Sequence, residues 1–218
     1  MITTIIIAVT CIISFLGFSN KTWVEKLIFS PPAVKSGQWY RLFTYGFLHA
    51  DWTHLIFNMF SFYIFGREIE KVFLSVFGNQ FGMILFVLMY SLGLFVSIFP
   101  TYLKEKDNYL YRGLGASGAV SAIVFAFILI YPMSYMGLFF IPIYLPAFLF
   151  GFIYIIISIY LDKNQSGNIN HLAHITGGIF GIIFMFLAFM IFAHINVFAM
   201  FIDNIQITSI KDLIRFGY

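Results

Sequence analysis

Six apolar runs separated by short polar stretches constrain this chain more than anything else in it. They predict helices at about residues 2–18, 52–72, 80–99, 115–131, 145–161 and 172–192. A helix crosses the hydrocarbon core of a bilayer with about 20 predominantly apolar residues, and about 17 is the lower limit. Of the 218 residues, 61% are hydrophobic and only 10% charged, where a soluble domain carries about a quarter charged. The expected fold class is therefore all-α: a polytopic membrane protein, a six-helix bundle with little or no soluble domain. The net charge of +3 is no nucleic-acid signature, and no nucleic-acid partner is expected. The single cysteine, Cys11, lies in an apolar run and excludes a disulfide framework.

The connections add detail. The first run lacks the basic flank and small-residue cleavage site of a signal peptide, so it reads as a membrane helix. Residues 20–50 are too apolar for a loose linker; Ser30-Pro31-Pro32 breaks a helix there and Gly37 suggests a turn. Trp39-Tyr40-Arg41 suits the membrane interface, and this stretch is expected to fold back as short surface helices. A polar loop is expected at 101–112. Pro132 ends the fourth helix, and Pro142 and Pro146 delay the fifth. The polar loop at 162–170 contains Gly167 and suits mobility. The tail from Val197 is mixed.

Chemistry is carried by a few polar residues. Gly113-Leu114-Gly115-Ala116-Ser117-Gly118-Ala119-Val120 puts a serine among small residues at the start of the fourth helix. Alone, such a cluster favours helix packing over chemistry, and the histidines elsewhere change that balance. His54 and Asn58 are four apart on the second helix and so share one face. Strongly polar groups there are costly unless they face the protein interior or water. His174 opens the sixth helix. Even-numbered helices start from one side of the membrane, so Ser117, His174 and His54/Asn58 are expected at similar depth. A serine hydroxyl needs a base within reach, and histidine is the usual one. The Ser117 N–H, His54 and Asn58 can serve as oxyanion donors. The one acid near His174 in sequence is Asp162, in the preceding loop, so a Ser–His dyad is expected rather than a triad. His49 is expected to hold the first connection, His171 to face the loop and His194 to sit at the interface. The histidine spacings also resemble metal-ligand pairs, but nothing acidic or sulfur-bearing completes them, and no metal is expected.

In these motifs the chain resembles the rhomboid intramembrane serine proteases. The matching residues are Arg41, His49-x4-His54-x3-Asn58, Gly66-x3-Glu70, Gly115-Ala116-Ser117-Gly118 and Ala173-His174-x2-Gly177-x3-Gly181. The resemblance implies one rhomboid membrane domain over residues 1–218, with Ser117 as nucleophile and His174 as general base. It implies an oxyanion hole of His54, Asn58 and the Ser117 N–H. Arg41, His49, Glu70, Gly115, Gly118, Gly177 and Gly181 would be structural supports. The fifth helix and the loop before His174 would form a lateral gate and a cap. No cofactor is implied. The expected substrates are membrane helices that enter sideways from the bilayer and are cut near their outer ends. Helix-weakening Gly or Pro near that end and a small residue before the cut should be favoured. A non-proteolytic, membrane-protein-binding relative is the alternative; such relatives lack the serine or the histidine.

Two features depart from the family pattern. The aromatic commonly found one turn after the serine, where it supports the histidine ring, is Ser121 here. The first-loop tryptophan–arginine pair reads Tyr40-Arg41, with Trp39 beside it. The expected orientation puts the amino terminus inside and the active site on the extracytoplasmic side, in a bacterial inner membrane. In that orientation four cations (Arg67, Lys71, Lys211, Arg215) lie inside and eight (Lys21, Lys26, Lys35, Arg41, Lys104, Lys106, Arg112, Lys163) outside. This is opposite to the positive-inside rule.

Overall fold

A helix that is apolar all round must be covered by lipid or by protein, and this chain uses both. The computed structural model describes residues 1–137, 142–163 and 169–217. Helix α1 (Ile2–Ser19) buries Thr3, Thr10, Ser14 and Gly17 and exposes Ile5, Ile12 and Phe15. Its small and polar stripe faces the protein and its apolar stripe faces outward, as suits a helix standing in lipid.

The first connection folds back as expected, into α2 (Lys21–Leu27), α3 (Pro31–Lys35), α4 (Arg41–Thr44) and a 3₁₀ turn, Tyr45–Phe47. Pro31 and Pro32, expected to break a helix, instead open α3 at its first positions, where a missing N–H costs nothing and the fixed φ suits the helix. The second expected helix is α5 (Trp52–Ser61), a π-helical turn (Phe62–Gly66) and α6 (Arg67–Phe77) in unbroken succession. Gly78, at φ +78°, ends it.

Helix α7 (Asn79–Glu105) runs through Pro100, past the expected start of a polar loop. Proline there forgoes one helical hydrogen bond. The extension is held by packing, because Thr101 is buried and its hydroxyl meets Asn170. Helix α8 (Ser117–Ile130) starts two residues later than expected, because Gly115 has φ +114° and cannot be helical.

The expectation of an all-α fold omits one small sheet. Strands β1 (Tyr135–Gly137), β2 (Ile143–Pro146) and β3 (Arg215–Phe216) form an antiparallel sheet in the order β1-β2-β3. The proline-bounded stretch thus pairs with the tail. The Arg215 guanidinium lies 3.7 Å from the Tyr135 ring centre, and the Tyr135 hydroxyl donates to the Asp212 carbonyl at 2.9 Å. Helices α9 (Ala147–Lys163), α10 (His171–Phe192) and α11 (Val197–Asn204) complete the chain. Gly167 lies outside the described residues.

The chain is therefore mostly helical, with helix in each of the six expected places. By length and composition, α1, α7 and α10 are long and apolar enough to cross a membrane, and α8 is a shorter apolar helix. Helix α8 forms the centre, with Ala119, Ala122, Ile123 and Ala126 fully buried. The starts of α5, α8 and α10 share one end with the finish of α7. The sheet and the start of α1 lie at the other end.

Candidate active site

The site begins with how closely α10 approaches α8. A Cβ placed on Gly177 would meet the Gly118 carbonyl oxygen, and one on Gly181 would meet the Ala122 carbonyl oxygen. Backbone lies on backbone, as small residues in membrane helices allow. Gly118 in turn lies against the Ser97 side chain of α7. This contact brings the first turns of α8 and α10 together, and Ser117 Oγ lies 2.7 Å from His174 Nε2.

Helix α10 is fixed at its start by Asn170. Its Oδ1 accepts from the Ala173 N–H at 3.0 Å, an N-cap. Its Nδ2 donates to Thr101 Oγ1 at 2.9 Å and to the Tyr111 hydroxyl at 3.2 Å. The loop before α8 is stitched to the first connection. Phe29 and Gly113 exchange backbone hydrogen bonds at 3.0 Å, and the Gly115 N–H donates to the Tyr45 carbonyl at 3.0 Å.

His49 joins three segments. Ser14 Oγ donates to the Phe47 carbonyl at 2.8 Å, so its lone pair accepts from His49 Nδ1–H at 3.0 Å. Nε2 of His49 is then an acceptor and faces the Ala116 N–H at 3.5 Å. Burial above all, and His54 next, push the His49 imidazole down to about 3, so it is neutral.

The His54 ring packs edge-on against His49, with centroids 4.9 Å apart. Asp51 caps α5 by accepting from the His54 N–H at 2.8 Å. The Ala50 N–H faces His54 Nδ1 at 3.5 Å, which leaves the proton on Nε2. That edge of the ring lies against Gly115, where a Cβ would come within 2.9 Å of Nε2. Asn58 is buried, and its Nδ2 donates to the His54 carbonyl at 2.9 Å, using one of its two hydrogens. The opening N–H groups of a helix have no partner within it, and Ser117 is the first residue of α8.

The supports lie further out. The Arg41 guanidinium is buried and donates to the Glu25 and Ile28 carbonyls at 2.8 and 2.7 Å and to Gln38 Oε1 at 2.7 Å. It fastens α4 to the end of α2. The Glu70 carboxylate is buried and accepts from the Ile2 N–H at 2.6 Å, the Thr3 N–H at 2.9 Å and Thr3 Oγ1 at 2.7 Å. It holds the start of α1 at the end away from Ser117.

His171 is not the loop-facing residue that was expected. It is buried, its ring edge-on to His174 with centroids 6.0 Å apart. The first turn of α10 packs into the bundle and carries both histidines inward. His171 also lines a polar cavity of about 240 Å³ with Thr101, Tyr111 and Asn170. Among the described residues, no group of three or more His, Cys, Asp or Glu gathers as a metal site would need. None of the ion pairs among them joins an acid to a histidine. Sequence reasoning missed Asn170 and Tyr154. An asparagine just before an apolar run is a readable cap signal; Tyr154, whose ring lies nearly parallel to His174, is one of several aromatics in its run. A serine within hydrogen-bond reach of an imidazole, beside an N–H-rich helix start, can activate a hydroxyl and stabilise an oxyanion.

Comparison with known proteins bears on this site. The family model described as Rhomboid domain matches residues 36–191, which include His49, His54, Asn58, Ser117, Asn170 and His174. RHOMBOID-like protein 12, mitochondrial, of Arabidopsis thaliana is 33% identical over 173 residues, covering 73% of this chain and 49% of that protein. "Putative rhomboid protease YdcA" of Bacillus subtilis (strain 168) is 31% identical over 106 residues, 48% of each chain. Rhomboid-like protein 11, chloroplastic, of Arabidopsis thaliana is 31% identical over 164 residues, 68% of this chain and 52% of that one. The chain spans about half the length of the curated relatives it matches.

Proposed function

The chain belongs to the rhomboid family, and from that premise we propose that it is an intramembrane serine endopeptidase working by a Ser117–His174 dyad. The observation that carries this reading is the 2.7 Å contact between Ser117 Oγ and His174 Nε2 at two adjoining helix starts. In the proposed reaction His174 Nε2 takes the Ser117 proton as Oγ attacks the substrate carbonyl. The oxyanion is held by the Ser117 N–H, His54 Nε2–H and Asn58. His174 then protonates the leaving amine, and water, activated by the same imidazole, hydrolyses the Ser117 ester. The polar cavity beside His171 offers that water a place to wait.

The proposed domain is a single six-span bundle in which α5–α6, α8 and α9 cross the bilayer together with α1, α7 and α10. The proposed substrate is a membrane helix that passes α9 and is cut near the end at which Ser117 lies. That is the end away from the start of α1, so the site opens outward if the amino terminus is inside. The loop proposed as a cap, 162–170, lies partly outside the described residues. A helix hides its carbonyls in its own hydrogen bonds, so the reacting segment must first become extended, and Gly or Pro there makes this easier.

The test is hydrolysis of a single-helix reporter by the purified chain in liposomes, with products mapped by mass spectrometry. The expected result is one cut near the end of the span, lost in Ser117→Ala and slowed when the reporter's Gly and Pro are replaced by Leu. Intact reporter, with the chain still binding it, would favour a non-proteolytic rhomboid-like protein instead.

A further inference from the structure

A general base works only while its ring is held in line with the hydroxyl it serves. One turn after Ser117, α8 carries Ser121, whose hydroxyl is too small to cover an imidazole face. A ring reaches the imidazole from another helix. The Tyr154 ring of α9 lies nearly parallel to His174, with centroids 6.3 Å apart and 22° between the planes. Helix α8 seats that ring: Ser121 Oγ stands 3.5 Å from the Tyr154 hydroxyl, and Phe125 packs on Tyr154 with centroids 5.9 Å apart. A small residue at 121 leaves the space that Tyr154 fills.

The helix that carries Tyr154 meets α8 through side chains, since a Cβ on Gly151 would meet the tip of Ile128 and the Phe125 ring. The buried residues of α9 are Ala147, Gly151 and Ser158. Phe152, Ile156, Ile157 and Tyr160 on the same helix are each more than half exposed. Tyr154 thus reaches the site from a helix other than the two whose glycine contacts bring Ser117 and His174 together.

We propose that Tyr154 is the positioning residue for His174, so that the base is aligned only while α9 is seated against α8. This rests on the reading of His174 as general base. Opening for substrate and readiness for chemistry are then mutually exclusive: a helix that holds α9 outward is bound but not cut, and reaction follows reseating.

The test is the rate at which a small fluorophosphonate labels the purified full chain, measured beside kcat and KM for a helix reporter. The small probe needs an activated Ser117 but no helix passing α9, so it separates base alignment from substrate entry. In Tyr154→Leu, labelling and kcat should both fall by about ten- to a hundredfold, as misplacement of a catalytic group does, with KM within about twofold. Tyr154→Phe should stay close to wild type, because it keeps the stack. Adding Ser121→Tyr to Tyr154→Leu should restore labelling by covering the same face from α8. If Tyr154→Leu does not fold by thermal melt, Tyr154→Met carries the same comparison. Labelling at the wild-type rate in the folded Leu or Met variant, or a lost kcat with labelling intact, would overturn the proposal. A wild type that is not labelled at Ser117 would overturn the protease reading, and this inference with it.

Discussion

Two of the helices packed on α8 touch it in different ways. Against α10, Gly177 and Gly181 leave no room for a side chain between their Cα atoms and the carbonyls of Gly118 and Ala122. Against α9, a Cβ on Gly151 would meet the tip of Ile128 at 2.8 Å and the Phe125 ring edge at 3.4 Å. Main chain cannot yield without moving a helix, whereas the end of an isoleucine can rotate. The first contact fixes the distance between Ser117 and His174. The second is made by side chains, and the Tyr154 ring of α9 lies beside His174. Distance and orientation at one pair of atoms are thus set by different parts of the fold.

The sharpest way to break this comparison is at the fixed pair. Ser117→Ala and His174→Ala should each reduce turnover on the order of 10⁶-fold, to background, with unchanged melting in detergent. Substantial cleavage by either variant would mean that the α8–α10 contact does not hold the reacting groups. A smaller effect is expected from the proposed oxyanion donors on α5. His54→Ala or Asn58→Ala should lower kcat by roughly 10²–10³-fold while phosphonate labelling persists. Unchanged turnover in Asn58→Ala would show that its amide serves only the helix carbonyl it touches.

The two glycine contacts can be compared directly. Gly177→Ala should destabilise by about 1–3 kcal/mol, the usual cost of overpacking, and slow turnover as α10 moves off α8. Gly151→Ala should stay within about 1 kcal/mol of wild type, since the gain in helix propensity offsets a displaced Ile128 tip. Equal melting shifts in detergent would erase the distinction drawn between α9 and α10.

The smallest effect concerns the stitched loop before α8. His49 is held neutral down to about 3, while an unfolded chain takes up that proton near 6.5. Between these values the unfolded state holds more protons, so stability rises with pH and is lost as pH falls through the window. His49→Gln should flatten the melting temperature against pH in that range. A slope left unchanged would assign the acid sensitivity to other groups.

Much of this architecture can be read in the residues themselves. Apolar run length places the helices because helices in a bilayer need about 20 such residues, and Gly115, Gly177 and Gly181 mark close approach. What escapes are features set by partners far along the chain. Helix α7 passes through Pro100 because Asn170 holds Thr101, and Ile143–Pro146 becomes the central strand of a sheet because residues 135–137 and the distant 215–216 pair with it. His171 turns inward although its neighbours suggest a loop. Tyr154 is one of several aromatics in an apolar run; only the packing of α9 singles it out. Ser121 gives the one local hint, as a small residue where a ring would be expected.

The central claim, that Ser117 is a nucleophile activated by His174, is tested most directly by mapping a serine-directed phosphonate adduct on the purified chain. Intact mass and peptide mapping should find one adduct, on Ser117, absent from Ser117→Ala and slowed on the order of 10³-fold or more in His174→Ala. An adduct on another residue, or one that persists in Ser117→Ala, would contradict it.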